Sequence, residues 1–229
     1  CGLIDQTYLT FASGGAFSQY SHEFQTVTEA GEDTIYVCED CNLAINKEII
    51  GEQSVCPNCG KKELVEQKAI EVGNIFKLGS RFSKAFDLQV IDADGEKKPV
   101  LMGCYGLGIT RLMGTIVEVN HDDRGIVWPK EVAPFKAHLI DLTTDEKGHR
   151  EAQKLYDLLL QLNTEVLWDD RRHLPAGAKF ADADLIGCPY RLVISDKTLE
   201  KDSFEIKRRQ DSDGRLIALN QVRSYFGEN

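Results

Sequence analysis

Four of the seven cysteines stand in two pairs, Cys38-x-x-Cys41 and, fourteen residues further on, Cys56-x-x-Cys59-Gly60. Two residues between thiolates let both sulfurs reach one ion from a single tight turn. Two such turns brought together complete a tetrahedral shell of four sulfurs. Such a shell leaves no open coordination position, so the spacing predicts a structural zinc rather than a catalytic one; the alternative is two reduced, exposed dithiols. Gly60 suits the tight backbone after the second pair. A disulfide framework is disfavoured, because the cysteine count is odd and Cys1-Gly2-Leu3-Ile4-Asp5 has neither region of a secretion signal. Cys1, Cys104 and Cys188 lie outside the set, and Cys188 reads as a buried small hydrophobe.

A second chemical signal is Gly103-Cys104-Tyr105-Gly106-Leu107-Gly108-Ile109-Thr110-Arg111. A dinucleotide fingerprint would need glycine where Arg111 stands, and a βαβ context that the preceding hairpin pattern does not offer. What remains is Gly-x-Gly-x-x-Arg at a strand-to-helix turn. Glycines let a ligand approach the backbone, a helix N-terminus favours negative charge, and a guanidinium can stack on a base or hold a phosphate. The competing reading is tight helix–sheet packing with Arg111 on the surface.

The elements that must position these groups follow from periodicity. His22–Thr28 reads as a strand anchored by Phe24 and Val27. Ile70, Val72, Phe76 and Leu78 share one parity of another strand, with Asn74 the polar exception. Residues 86–91 and 99–104 flank the Asp94-Gly95 turn as a hairpin. Ile109, Leu112, Met113, Ile116 and Val117 then recur at helical spacing. Trp128–Pro134 carries two prolines and reads as a linker. Beyond it the chain alternates. Strands are expected at 137–142, 165–168 and 190–195, helices at 146–162 and 179–186, a hairpin over 204–208 and 216–219, and a last helix near Asn220. That pattern predicts an α/β sandwich with a largely parallel sheet.

Composition agrees with two modest globular domains. The 229 residues carry 27 Lys+Arg against 37 Asp+Glu, with 42% hydrophobic residues. The net charge is −10, of which residues 1–133 contribute 12 − 20 = −8 and residues 134–229 contribute 15 − 17 = −2. Bulk acidity argues against indiscriminate nucleic-acid binding, so a nucleic-acid partner would have to be held by a local patch, and only the second segment looks able to supply one. No apolar run approaches the roughly 18 residues of a membrane span. The chain lacks an initiating Met and is expected to begin inside a longer gene product.

The Gly-x-Gly-x-x-Arg turn after an antiparallel hairpin resembles motif 3 of class II aminoacyl-tRNA synthetases, and the longer string Pro99–Arg111 resembles that of the bacterial-type prolyl-tRNA synthetases. Three further stretches agree: Gly14-Gly15 with Ser21-His22-Glu23-Phe24; Glu71–Gly79; and Asp169-Asp170-Arg171 with Ala176–Gly187. The resemblance implies an α+β antiparallel class II catalytic core with a zinc-ribbon insertion, over residues 1–128 with the zinc module at about 37–61. An α/β anticodon-binding domain follows over 135–229.

It also implies a reaction: ATP, with magnesium, activates proline to prolyl-adenylate, and the prolyl group passes to tRNA(Pro). Arg111 would be the catalytic contact to ATP, with Gly106 and Gly108 beside it. Glu71, Gly73 and Phe76 would floor the proline site, Cys104 would face it, and His22 and Glu23 would close it. Asp170, Arg171, Lys179 and Phe180, with Glu205, Lys207 and Arg208 on a neighbouring strand, would recognise the anticodon. Cys38, Cys41, Cys56 and Cys59 would hold the zinc. A cytoplasmic homodimer, away from any membrane, is the implied assembly of the full-length enzyme.

The sequence also departs from the family pattern. Only residues 25–70 stand where many bacterial members carry a large editing domain, so no hydrolytic editing is expected here. Motifs 1 and 2 have no counterpart in these residues. Half of the phosphate clamp is therefore missing, and the polypeptide alone is expected to be inactive in adenylate formation. Alternative functions are a non-catalytic tRNA-binding module, or another class II synthetase such as those for threonine or glycine.

Overall fold

The computed structural model describes residues 1–227, which fall into two compact units, Gly2–Val119 and the residues from Asn120 on. In the first unit the strands are β1 (Thr7–Ser13), β2 (Tyr20–Val27), β3 (Asp33–Cys38), β4 (Leu43–Asn46) and the long β5 (Val65–Gly79). There follow α1 (Arg81–Ala85), β6 (Gln89–Ile91), β7 (Lys97–Pro99), β8 (Met102–Leu107) and α2 (Ile109–Val119). β1 pairs antiparallel with β2 and parallel with β4; β4 pairs with β3, β3 with the start of β5, and the middle of β5 with β2. These five pairings close into a small barrel. Its interior is filled by Ile35, Val37, Ala44 and Ala69, with Tyr8 and Val27 packed against them. The expected antiparallel sheet is thus present with one parallel pair, β1–β4.

β5 leaves the barrel through a bulge. Phe24 pairs with Gly73 and Gln25 with Glu71, so Val72 has no partner on β2. One extra residue reverses which parity faces which side. The single face expected for Ile70, Val72, Phe76 and Leu78 is therefore split: Ile70 lies opposite Thr26, on the other side from Asn74 and Phe76. Beyond the bulge β5 pairs antiparallel with β8. Two further expectations are corrected here. Residues 99–104 are not one strand, because the hairpin arm ends at Pro99 and β8 begins at Met102 against a different partner. Phe24 is no anchor; it is 41% exposed.

The second unit holds β9 (His121–Asp122), β10 (Gly125–Ile126), β11 (Ala137–Leu142), α3 (Glu146–Gln161), β12 (Val166–Asp169), α4 (Ala176–Ile186) and β13 (Tyr190–Ser195). It ends with α5 (Asp196–Leu199), β14 (Ser203–Arg208), β15 (Arg215–Ala218) and α6 (Val222–Phe226). The sheet order is β12-β11-β13-β14-β15. β12, β11 and β13 run parallel while β14 and β15 are antiparallel, so the sheet is mixed rather than largely parallel. Leu155 and Leu159 of α3, with Val222 and Phe226 of α6, pack on Leu139, Leu192, Ile194, Phe204 and Ile206. Phe180 and Ala183 of α4 cover the opposite face at Ile140 and Val193. Among the described residues no helix is long and apolar enough to cross a membrane.

Residues 120–128, assigned from sequence to the first domain, pack within this second unit. The Trp128 indole donates to the Ile186 carbonyl at 3.0 Å, and buried Arg209 clasps Asp122 through two bonds of 2.9 and 2.7 Å. The Arg209 guanidinium holds the Asp122 carboxyl well below the usual carboxylate range. Because the folded value is depressed, the clasp contributes its full stabilisation above a pH of about 4 and loses it as pH falls towards the folded value. The excess in melting temperature of wild type over Asp122→Asn should therefore be constant above a pH of about 5 and shrink progressively as pH drops from about 4 to 2. A constant gap over that range would refute the linkage.

Candidate functional site

The turn from β8 into α2 opens onto a cleft of about 400 Å³ lined by Glu71, Gly73, Asn74, Gly106, Gly108, Thr110 and Arg111, together with Val72 and Leu107. Antiparallel pairing of β5 and β8 sets Asn74 opposite Gly106 and Gly73 opposite Leu107. The Gly108 amide donates to the Val72 carbonyl, and Leu112 closes the first helical turn onto Gly108. Arg111 is thereby carried one turn into α2, back over β5. Its Nη1 donates to Oε2 and to the main-chain oxygen of Glu71, both at 3.0 Å, and its side chain is still 47% exposed at the cleft. A guanidinium half in solvent, beside helix amides that lack intrahelical acceptors, suits an anionic ligand.

Strand alternation sorts the residues expected at the proline site. Glu23, Asn74, Phe76, Cys104 and Gly106 lie on one face, by the pairings Glu23–Asn74, Asn74–Gly106 and Phe76–Cys104. Glu71 joins them across the bulge, opposite Gln25 and bonded to Asn74. The structure thus brings together Glu23, Glu71, Phe76, Cys104 and Arg111 on the cleft side, with Gly73 between them in β5. His22 is a correction. Adjacent residues of a strand point to opposite faces, and His22 lies opposite Ile75 and edge-on to Phe11 at 4.6 Å, away from Glu23. Desolvation, with help from the Lys77 charge, pulls its imidazole below the ordinary value. Burial pushes the Glu23 carboxyl up, partly offset by bonds from Gln25 and Asn46. Cys104 is exposed, as is the whole of β8. Phe76 packs edge-on against Phe17, which the Gly14–Gln19 turn carries.

The four cysteines of the two pairs converge. Their sulfurs all lie within 4.8 Å of one another, and Cys38 and Cys59 are 3.7 Å apart. With zinc–sulfur bonds of about 2.3 Å, the edge of a tetrahedral shell is ~3.8 Å, so the donor set fits that ion. Gly60, at φ +76°, donates to the Cys56 carbonyl and makes the second turn. Burial pushes the Cys38 thiol up to about 12. Cys56 is also desolvated, yet the backbone amides of Cys59 and Asn58 draw it down to about 7. The first pair sits at the β3–β4 turn, so its supporting strands are staves of the barrel rather than a detached knob.

In the second unit the expected anticodon residues divide. Asp170 is exposed after β12. Arg171 binds Asp169 through two bonds of 2.8 and 2.7 Å and reaches Asp182 of α4 at 2.7 Å. Lys179 is a correction: it is 2% exposed, and its ammonium donates to the carbonyls of Asp141 at 2.6 Å and Asp169 at 3.3 Å. It ties the carboxyl ends of β11 and β12 together. Phe180 is half-buried against Ile140 and Val193, with the Arg191 guanidinium 4.6 Å above its ring, so it is no open stacking platform. Glu205 lies opposite Val193 and Lys207 opposite Arg191, on the Phe180 side of the sheet. Lys207 is the third correction, being only 7% exposed; Arg208, opposite Tyr190, is exposed and projects from the other face of the sheet.

Residues 3–120 match the family described as the tRNA synthetase class II core domain (G, H, P, S and T), and residues 132–229 match the anticodon binding domain. The chain is similar to the proline–tRNA ligase of Endomicrobium trichonymphae, at 44% identity over 72% of this chain and 29% of that protein. Against the proline–tRNA ligase of Persephonella marina the identity is 43%, over 75% of this chain and 30% of that protein. The chain thus spans about 30% of the length of these relatives. A crystal structure of prolyl-tRNA synthetase from Cryptosporidium parvum with L-proline and AMP shares the fold, with a TM-score of 0.66 at 19% identity. That match covers 97% of this chain and 40% of the other.

Proposed function

The chain belongs to the class II aminoacyl-tRNA synthetases, and from that premise we propose that its residues serve the ATP-dependent ligation of proline to tRNA. The observation that carries this reading is Arg111, half-exposed and aimed from the first turn of α2 into a cleft floored by the antiparallel β5–β8 pair. There its charge opposes the charge that develops on the ATP phosphates during adenylate formation. Glu23, Glu71, Phe76 and Cys104, on the same face, line the side where the amino acid is held, next to Gly73. His22, on the opposite face, supports β2 through Phe11 instead.

Anticodon contact is proposed for Asp170 and Arg171 at the carboxyl end of β12, and for the half-buried Phe180 with Glu205. A carboxylate there can accept from base amino groups, and the guanidinium can position a phosphate. Lys179 and Lys207 are left out on grounds of burial and Arg208 on grounds of facing. Cys38, Cys41, Cys56 and Cys59 are proposed to hold one structural zinc, which when bound fixes the turn between β3 and β4 to the 56–61 loop.

The test is proline-dependent exchange of labelled pyrophosphate into ATP. The resemblance assigns the α-phosphate and adenine to a motif that is not among these residues. Exchange is therefore expected when a second polypeptide carrying that motif is added, not with the 229-residue chain alone. Arg111→Ala should cut the reconstituted rate by about 100-fold, the typical loss on removing one charge-stabilising donor. Exchange that proceeds equally well with threonine or glycine, or is indifferent to Arg111, would overturn the assignment.

A further inference from the structure

Resting on the ATP-binding reading of the cleft, we infer that Asn74 is a positioning residue for Arg111, and that Gly106 is glycine to make room for Asn74 rather than for the nucleotide. Asn74 is the one polar residue at the alternate positions from Ile70 to Leu78 of the sequence, and the bulge at Val72 turns it to the Glu71 side. Its Nδ2 donates to Glu71 Oε1 at 3.0 Å. The other carboxylate oxygen of Glu71 accepts from Arg111 Nη1, also at 3.0 Å. Each oxygen thus has its own donor, and the amide fixes the rotation of the carboxylate about its last bond. With the carboxylate fixed, the guanidinium is fixed too, because Nη1 also reaches the Glu71 main-chain oxygen, which cannot turn. An exposed ion pair without such a support spends part of its time open. Here a neutral side chain sets the geometry of a charged one.

The glycine opposite completes the arrangement. Gly106 pairs with Asn74 across β5–β8, and a Cβ built on it would stand 2.5 Å from Asn74 Oδ1 and 3.2 Å from its Cγ. Nothing of that size fits unless Asn74 swings away, which breaks its bond to Glu71. Gly108 differs: a Cβ there meets only the Cβ of Arg111 at 3.4 Å. The two glycines of the Gly-x-Gly-x-x-Arg turn therefore answer to different requirements.

Two measurements test this, the first on the 229-residue chain and the second on that chain reconstituted with the polypeptide used in the exchange assay. Without nucleotide, the Arg111 guanidinium should give resolved, slowly rotating Nη signals by NMR, and Asn74→Ala and Gly106→Ala should each collapse them. With ATP and magnesium, each variant should weaken binding about tenfold, as expected for one lost bond to a charged group. The Gly106→Ala/Asn74→Ala double variant should be no worse than Asn74→Ala alone, since the clash is gone. Asn74→Leu, which keeps the shape but loses the donor without adding a charge, should behave like Asn74→Ala. If Arg111 signals persist in Asn74→Ala, or the two substitutions add, the positioning role is overturned. If wild type shows the signals but the reconstituted pair binds no ATP, the positioning stands and the nucleotide reading of the cleft falls.

Discussion

Replacing Lys179 with methionine is expected to lower the stability of the second unit by about 3–5 kcal/mol, the range for breaking a buried charged contact. Methionine fills the volume, so the loss isolates the ammonium. Its removal strips a donor from two buried carbonyls at the ends of parallel strands, and one counter-charge from Asp169, whose carboxylate lies 3.8 Å away. Arg171 still neutralises that carboxylate, so the effect belongs in the lower part of the range. Urea unfolding followed by Trp128 and Trp168 fluorescence reads it directly. A lysine that touched tRNA instead would leave the unfolding midpoint unchanged and weaken tRNA binding alone. That outcome would restore the expectation drawn from the motif.

Stripping the metal is the second large perturbation. Purified protein should carry about one zinc per chain, and Cys56→Ser should carry none. Structural zinc in small modules contributes apparent binding energies of about 10–16 kcal/mol near neutral pH, all of it coupled to folding. The barrel already holds β3 and β4 by ladders on both sides, so the expected loss here is a fraction of that, on the order of 3 kcal/mol or more. Its most direct sign should be rapid proteolysis of the turn at 38–42 and the loop at 51–64 after chelation. Protein that binds no zinc in the reduced state, and melts identically with and without chelator, would leave only two dithiols.

Much of this architecture was legible because its signals are local. The Cys-x-x-Cys pairs, the alternation from residue 137 onward and the glycine turn each depend on a few neighbouring residues. β11 and β13 fall where periodicity expects them, at Ala137–Leu142 and Tyr190–Ser195. What failed to show is non-local. The bulge at Val72 exists only in the pairing of β5 with β2, and it moves Ile70 and Asn74 to opposite sides. That His22 and Glu23 cannot both face one pocket follows from strand period alone and was available in advance. Lys179 carried no sign of burial, because its partners are main-chain oxygens, which every sequence has. Asn74 did carry a sign, a lone polar residue on an apolar parity, but its use needs Glu71 and Arg111 together in space.

β5 belongs to two bodies at once. Its first residues are a barrel stave beside the cysteine turn, and its last ones floor the cleft. At about 3.3 Å per residue it runs for ~50 Å, paired in turn with β3, β2 and β8 and interrupted only by the irregularities at Val72 and Leu78. Its amides should consequently exchange with deuterated water as one cooperative block, protected to a common depth. Releasing the metal at the near end should then quicken exchange at Gly73 and Asn74, in a part of the strand that pairs with β2 and β8 and not with the cysteine hairpin, without any ligand having moved.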